Sequence, residues 1–507
     1  MNVSRAADLA VLVAYLCLTV GLGCWFGLRR RSTDDFMAGG HSLPGWAVGL
    51  SMFGSFVSSI SFLANPGKSF AGDWNPFVFA LSAPIAALIA VVWFVPFFRR
   101  TGTVSAYEHL EQRFGPWART YAVICFLLLQ VARMATIAYL LALAVAPFTG
   151  WRIETIIIIT GAVMILYSIF GGIEAVVWIG VLQSGILLLG PLICIIALLA
   201  MVPGGLAGII ETGSEAGKFD LGNALPTSSA ITGAGWAAIF NAQTFWIVLV
   251  YGLFVNLTNF GVDQSYVQRY VTTPDDRQAK RSVWITTLLY VPASAFFFFI
   301  GTALWVLSRQ RSDFFPAGMA AEAPDQIFPF FIANGLPPGL GGLVVAAIFA
   351  AALDSNLSSM ATLTLCDLYR RYFRDTKSDR EAMWVLRFST LGWGIVGTAA
   401  ALAMTQAKSV LDVWWELAGI CSGGMLGLFL LGRLAKRAGS AAGLIGVIAG
   451  VLTILWMSLS SKSDQGWWPT SLAAYGNPLH PFMTIVCGTL VIMFVGWLAA
   501  FVVPRRV

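Results

Sequence analysis

The chain has 507 residues, 58% of them hydrophobic and 11% charged, against roughly 25% charged in an ordinary soluble domain. Its 31 Lys and Arg outnumber 25 Asp and Glu for a formal net charge of +6, but the cations are scattered over short loops, a topology signal rather than a nucleic-acid footprint. No loop exceeds about 35 residues and none carries a phosphate-cradling GxxxxGK[ST], so a soluble ATPase, kinase or DNA-binding domain has nowhere to fold.

A spanning helix needs about 20 mainly apolar residues, and only helices or closed barrels satisfy every backbone group in lipid. Thirteen stretches qualify, which predicts an all-α polytopic membrane protein. The first, 8–28, runs into Arg29, Arg30 and Arg31; it is longer than the 7–15 residue core of a signal peptide and is read as a retained helix. The second, 45–66, sits in GWAVGLSMFGSFVSSISFLANPGKSF, with Gly54, Ser55, Ser58, Ser59 and Ser61 in its middle and Pro66-Gly67 at its end. The third is 75–98 and the fourth 118–148, which carries Arg133 with apolar residues on both sides. The fifth and sixth, 153–171 and 174–201, flank a Gly-Gly pair. The seventh, 236–259, continues into FVNLTNFGVDQSYVQRY, with Gly252, Asn256, Thr258, Asn259 and Gly261 toward its inner half. Then follow 282–308, 339–366 with Asp354, 381–406 with Arg387, 409–432 with Glu416, 441–459 and 480–503.

With the N-terminus outside, the inner loops collect about 20 Lys and Arg and the outer ones about 8, as the positive-inside rule requires. An odd number of spans then leaves Arg505 and Arg506 cytoplasmic. A cysteine placed anywhere in 367–380 is therefore expected to escape a membrane-impermeant thiol reagent added to sealed cells; strong labelling there would invert the topology. The seven cysteines lie within or beside apolar spans with no CxxC spacing, and His41, His109 and His480 stand singly, so neither a disulfide framework nor a metal-ligand set is expected.

Transporter sites form where spanning helices break near mid-membrane and free backbone groups for a ligand. The Gly and Ser clusters of the second and seventh spans qualify, and the two lie five spans apart, as an inverted five-plus-five repeat requires; close helix packing by small residues is the alternative account. Ionisable residues inside spans mark a pathway or a partner. Arg133 is the clearest, its alternative being a structural charge pair. For Asp354 the alternative is a packing hydrogen bond with a neighbouring Ser. Arg387 can snorkel to the surface, and Glu416 lies near a span end.

These residues resemble the sodium/solute symporters, which have the leucine-transporter-like fold. The resemblance rests on RSTDDFMAGG, SSISFLANPGKSFAGDW, SAYEHLEQRFG, YSIFGGIEAVVW, DQSYVQRYVTTPDDRQAKRS, AAIFAAALDSNLSSMATLTLCDLYRR and GGMLGLFLLGRLAKRAGSAAGLIGV, in order over essentially the whole chain. Within the family, SSISFLANPGKSFAGDW and LQVARMATIAYL are most similar to the bacterial sialic acid transporters. The resemblance implies a single transporter domain: a leading helix 8–28, repeats 45–201 and 236–432, and trailing helices in 441–503. It also implies that Arg133 holds a substrate carboxylate and that Ser58 and Ser61 bind the same solute. Phe56 stands at a hydroxyl position of the broken helix and Ala80 at an amide position, and Asn259 completes the expected substrate set. A bidentate guanidinium suits a carboxylate whatever the family.

The ion sites depart from the family. Its main sodium site uses carbonyls of the broken helix, here around Gly54 and Val57, and a hydroxyl pair in the helix matching 339–366. Counting back from CDLYRR puts Ala351 and Ala352 there; counting forward from AAIFAAA puts Asp354 and Ser355 there instead. Gly180 replaces a carboxylate linked with a further sodium. A methyl supplies no oxygen to a hard cation. One register weakens sodium coupling; the other lets Asp354 bind sodium or, with its pKa raised by desolvation, carry a proton. The expected function is import of a small organic anion, a sialic-acid-like or related sugar acid, with sodium as the coupling ion considered. Membrane lipid is the other expected contact, with no nucleic acid, a bacterial inner membrane as location and a monomer as one oligomeric option. A solute sensor or uncoupled facilitator is the alternative. An intramembrane enzyme has no metal-ligand set or nucleophile–base pair to support it.

Overall fold

The computed structural model describes residues 3–28, 36–37, 39–101, 105–224, 242–311, 313–316, 319, 324–352, 356–373, 378–406, 410–460 and 468–503. Apolar runs in a lipid setting leave the backbone one economical choice, the helix, and the described residues form a helical bundle. In chain order they are α1 Val3–Leu28, α2 Gly45–Phe56, α3 Ser59–Ala71, α4 Asn75–Thr101, α5 Glu108–Phe114, α6 Pro116–Thr149, α7 Ile153–Met201 and α8 Gly205–Glu215. These are followed by α9 Phe245–Gly261, α10 Gln264–Val271, α11 Asp276–Gln310, α12 Pro324–Gly335, α13 Leu340–Ala352, α14 Asn356–Leu363, α15 Asp379–Ala403, α16 Val410–Leu434, α17 Ser440–Ser460 and α18 Met483–Val502.

Among the described residues nine helices are long and apolar enough to cross a membrane, or up to eleven if each of two bent pairs is one span. Two further apolar helical stretches among the described residues, Ile153–Leu166 and Cys421–Leu434, are shorter than a span, so the count of thirteen stays an expectation. The spans expected at 153–171 and 174–201 are one unbroken 49-residue helix, α7. Each glycine of the Gly171-Gly172 pair costs the helix about 1 kcal/mol relative to Ala, less than leaving backbone groups unbonded away from water.

The two bent pairs are α2–α3 and α9–α10, each turned by 49°. At the first, Val57 (φ −86°, ψ 77°) and Ser58 (φ −78°, ψ 171°) leave helical geometry. Pro66 lies inside α3 without ending it, so this element reaches Ala71 rather than residue 66. The seventh expected span also shifts. It begins at Phe245, with Thr244 as N-cap accepting from the Ile247 amide, and breaks at Val262-Asp263, beyond residue 259. Residues 236–241 lie outside the described ones. Gly252 and Gly261 sit in unbroken helix. A Cβ on Gly252 would stand 2.6 Å from the Ser82 hydroxyl oxygen, and one on Gly261 2.5 Å from the Phe94 ring, so both serve close packing.

Helices α2 and α3 lie against α11, α2 also against α7, and α9 against α4 and α16. This arrangement brings the two breaks to one level of the bundle, with α6 crossing beside them.

Candidate functional site

The breaks face a cavity with roughly 720 Å³ of empty space. All five expected substrate residues line it: Phe56 and Ser58 at the first break, Ser61 one turn into α3, Arg133 from α6 and Asn259 from α9. Ser58, Ser61 and Asn65 recur at helical spacing, so one face of α3 supplies three polar side chains. Asn65 escaped the sequence reading although this spacing places it. Tyr266 of α10 and Tyr290 and Ser294 of α11 also line the cavity and were missed; Tyr290 and Ser294 are one turn apart around Pro292. Ala80 lines it too, and contributes only a methyl.

Arg133 is 8% exposed. Its Nη2 donates to the Ser55 carbonyl at the C-terminal end of α2, where the helix's last carbonyls have no intrahelical donors and the dipole favours a cation. One turn earlier on the same face of α6, Gln130 Nε2 donates to Asp263 Oδ2 at 3.0 Å. Asp263 N-caps α10 by accepting from the Ser265 amide at 2.7 Å, and it attracts both Arg133 and Arg269. Arg269, 1% exposed, donates to the Ser51 carbonyl at 3.1 Å and to the Ser55 hydroxyl. Arg133 thus has a structural partner in the Ser55 carbonyl and at the same time a place on the cavity wall.

Phe56, at the position where a hydroxyl is expected, instead builds an aromatic wall. Its ring stacks on Phe260 at 4.9 Å and meets Tyr266 and Tyr290 edge-on at 5.0 and 5.2 Å. The cavity therefore pairs a guanidinium, hydroxyls and amides with an aromatic face.

The ion-site candidates fall differently. Gly54 and Val57 are buried at the end of α2, where freed carbonyls suit a cation. Ala351 is fully buried and offers no side-chain oxygen. Ala352 ends α13; Asp354 and Ser355 lie outside the described residues. Gly180 is a packing residue: a Cβ there would stand 2.6 Å from the Ser51 hydroxyl oxygen and 2.9 Å from the Ser51 Cα. No carboxylate fits at 180 while α7 lies this close to α2.

Residues 36–450 match the model of the sodium:solute symporter family. The chain belongs to that family. It is 33% identical, over 97% of its own length and 94% of the relative's, to the sodium/sialic acid symporter SiaT of Proteus mirabilis. It is 31% identical, over 96% and 92%, to the sodium/sialic acid symporter NanT of Aliivibrio fischeri. The human sodium-coupled monocarboxylate transporter 1 is 28% identical over 90% of this chain and 73% of its own. A solved substrate-bound, outward-open state of a Na+-coupled sialic acid symporter superimposes with a TM-score of 0.86 at 31% identity, over 99% of both chains. Mhp1, a nucleobase-cation-symport-1 family transporter, shares the fold at 16% identity, with a TM-score of 0.54 over 93% of this chain and 95% of its own. The all-α, multi-pass membrane fold with two broken helices is therefore that of the leucine-transporter-like symporters.

Proposed function

We propose that this chain imports a carboxylated sugar of the sialic acid class across a bacterial inner membrane, by alternating access around the cavity between α2–α3 and α9–α10. The convergence of Arg133, Ser58, Ser61 and Asn259 on one cavity carries the reading. The guanidinium takes the carboxylate, the face of α3 with Ser58 and Ser61 takes hydroxyls, and Asn259 takes an amide or hydroxyl. The Phe56 wall takes the apolar side of the ring or of an acyl group. The breaks at corresponding places support taking 45–201 and 236–432 as the two repeats, with the N-terminus outside and the C-terminus in the cytoplasm.

Sodium is the coupling ion on this reading, held by the carbonyls about Gly54 and Val57. In the register that puts Ala351 and Ala352 at the family's hydroxyl pair, the oxygens missing there and at Gly180 make its grip weaker than in relatives that have them; in the other, Asp354 and Ser355 stand at the pair. An ion drives a conformational equilibrium only through its differential affinity for the two states, so a poorly held ion drives little. Reconstituted vesicles should accumulate labelled N-acetylneuraminic acid above equilibrium when sodium is imposed outside, and lose that accumulation when the gradient is collapsed. Exchange of labelled for unlabelled solute with no accumulation under any cation gradient would favour the uncoupled facilitator, which the methyl at Ala351 also supports. Absence of both uptake and exchange, with binding retained, would favour a sensor.

A further inference from the structure

A second cavity, with roughly 1180 Å³ of empty space, opens where α4 meets α11 and α16. This is the end of the bundle that carries the basic loops. Arg100, Lys280 and Arg433 line it together with one carboxylate, Asp276. Arg99 pairs with that carboxylate at 3.2 Å while donating to the carbonyls of Val271, Thr273 and Pro274. Asp276 is thereby neutralised from outside the cavity. Among the described residues none of the three lining cations joins an ion pair; Arg433 lies over the Phe97 ring at 5.7 Å.

Below this basic mouth the walls become apolar. A shallow apolar hollow lies between Phe94, Phe429 and Leu430. It shares Trp93, Phe97, Arg433 and Leu434 with the larger cavity, so the two adjoin. Trp93 and Leu434 are 55% and 51% exposed, so the hollow opens on the outer surface of the helices. The α4 wall is π-helical from Ala90 to Phe94, a wide turn that proteins keep mostly where it has a use.

We propose that this is a binding site for one anionic phospholipid. Its phosphate lies among Arg100, Lys280 and Arg433, and an acyl chain leaves along the hollow below. Basic pockets between spanning helices at the cytoplasmic surface suit anionic headgroups. The adjoining apolar hollow selects a lipid over a soluble phosphate, which has nothing to place there. A bound headgroup ties α4, α11 and α16 together, and it does so whichever solute the central cavity carries.

Native mass spectrometry of the full chain in detergent tests this with three probes: phosphatidylglycerol, phosphatidylcholine of the same acyl chains, and glycerol phosphate. Phosphatidylglycerol should be retained at least about tenfold better than phosphatidylcholine, and glycerol phosphate at equal concentration should not displace it. Each cation near a lipid surface contributes about fivefold in affinity. Lys280→Gln should therefore weaken retention about fivefold, and the Arg100→Gln, Lys280→Gln, Arg433→Gln triple variant about a hundredfold. Arg281→Gln, an exposed cation outside the cavity, should change nothing. Leu430→Trp, which fills the hollow and keeps every charge, should also release the lipid. Equal retention of the two lipids, or equal damage from Arg281→Gln and Lys280→Gln, would overturn the site. Displacement of phosphatidylglycerol by glycerol phosphate would replace it with a soluble-anion site. The single variants decide the matter even if the triple variant does not fold.

Discussion

Arg133→Ala is expected to abolish binding of a carboxylated solute, with a loss of tens- to thousands-fold in affinity. Truncating one partner of a desolvated, hydrogen-bonded charge pair costs about 2–5 kcal/mol, much of it from the stranded partner. Arg133 also caps the Ser55 carbonyl, so an alanine variant alone would confound an anchoring role with a structural one. Arg133→Lys separates them. A lysine reaching Ser55 restores a cation at the end of α2, and a purely structural arginine would then be rescued in both stability and binding. An arginine that grips a carboxylate through two parallel N–H groups is not replaced by an ammonium point charge. The expected result for the lysine variant is near-normal thermal stability in detergent with solute affinity still reduced at least about tenfold. Full recovery of binding by lysine would remove Arg133 as the two-pronged anchor.

The two broken helices show how far the sequence could be read and where reading stopped. In the second span, Gly54, Ser55 and Ser58 marked the break to within a few residues, because small and hydroxylated side chains tolerate an interrupted ladder. In the seventh span the cluster ended just short of the break. Gly252 and Gly261 pack against Ser82 and Phe94, and the interruption falls at Val262-Asp263, announced by an aspartate that caps the next helix. Hydropathy ended the span at 259 because QSYVQRYV is polar. Yet every residue of α10, including Gln264, Gln268 and Arg269, is buried. A polar segment inside a membrane protein is legible only once its partners are known, here the Ser51 carbonyl and Ser55 for Arg269, and the Met37 carbonyl for Gln268. Arg133 was legible because its own neighbours in sequence are apolar. Gly180 was legible as a departure, but its reason, the approach of Ser51 across two helices, is a matter of packing that no single chain segment displays.

The buried charges suggest the second large effect. Asp263 is 2% exposed, and its charge lies in the favourable fields of two guanidiniums, Arg133 and Arg269. Asp263→Ala removes the negative charge that offsets both, strips Gln130 of its acceptor and removes the cap of α10. Leaving a buried charge uncompensated costs about 3–5 kcal/mol, and a lost N-cap about 0.5–2 kcal/mol. The variant should therefore melt well below the wild type in detergent and lose transport. Asp263→Asn isolates the charge. Its amide oxygen can still accept from the Ser265 amide, and Gln130, whose buried Oε1 has no partner among the described residues, can rotate its side-chain amide to accept from the new NH2. Hydrogen bonding is then retained while the negative charge is gone. Asp263→Asn should fall between the wild type and Asp263→Ala in stability. Adding Arg269→Gln should recover part of the loss, since residues in one charged network couple by about 0.5–3 kcal/mol. An Asp263→Asn protein as stable as the wild type, with no coupling to Arg269→Gln, would mean that the carboxylate serves α10 as a cap and does not hold the two arginines.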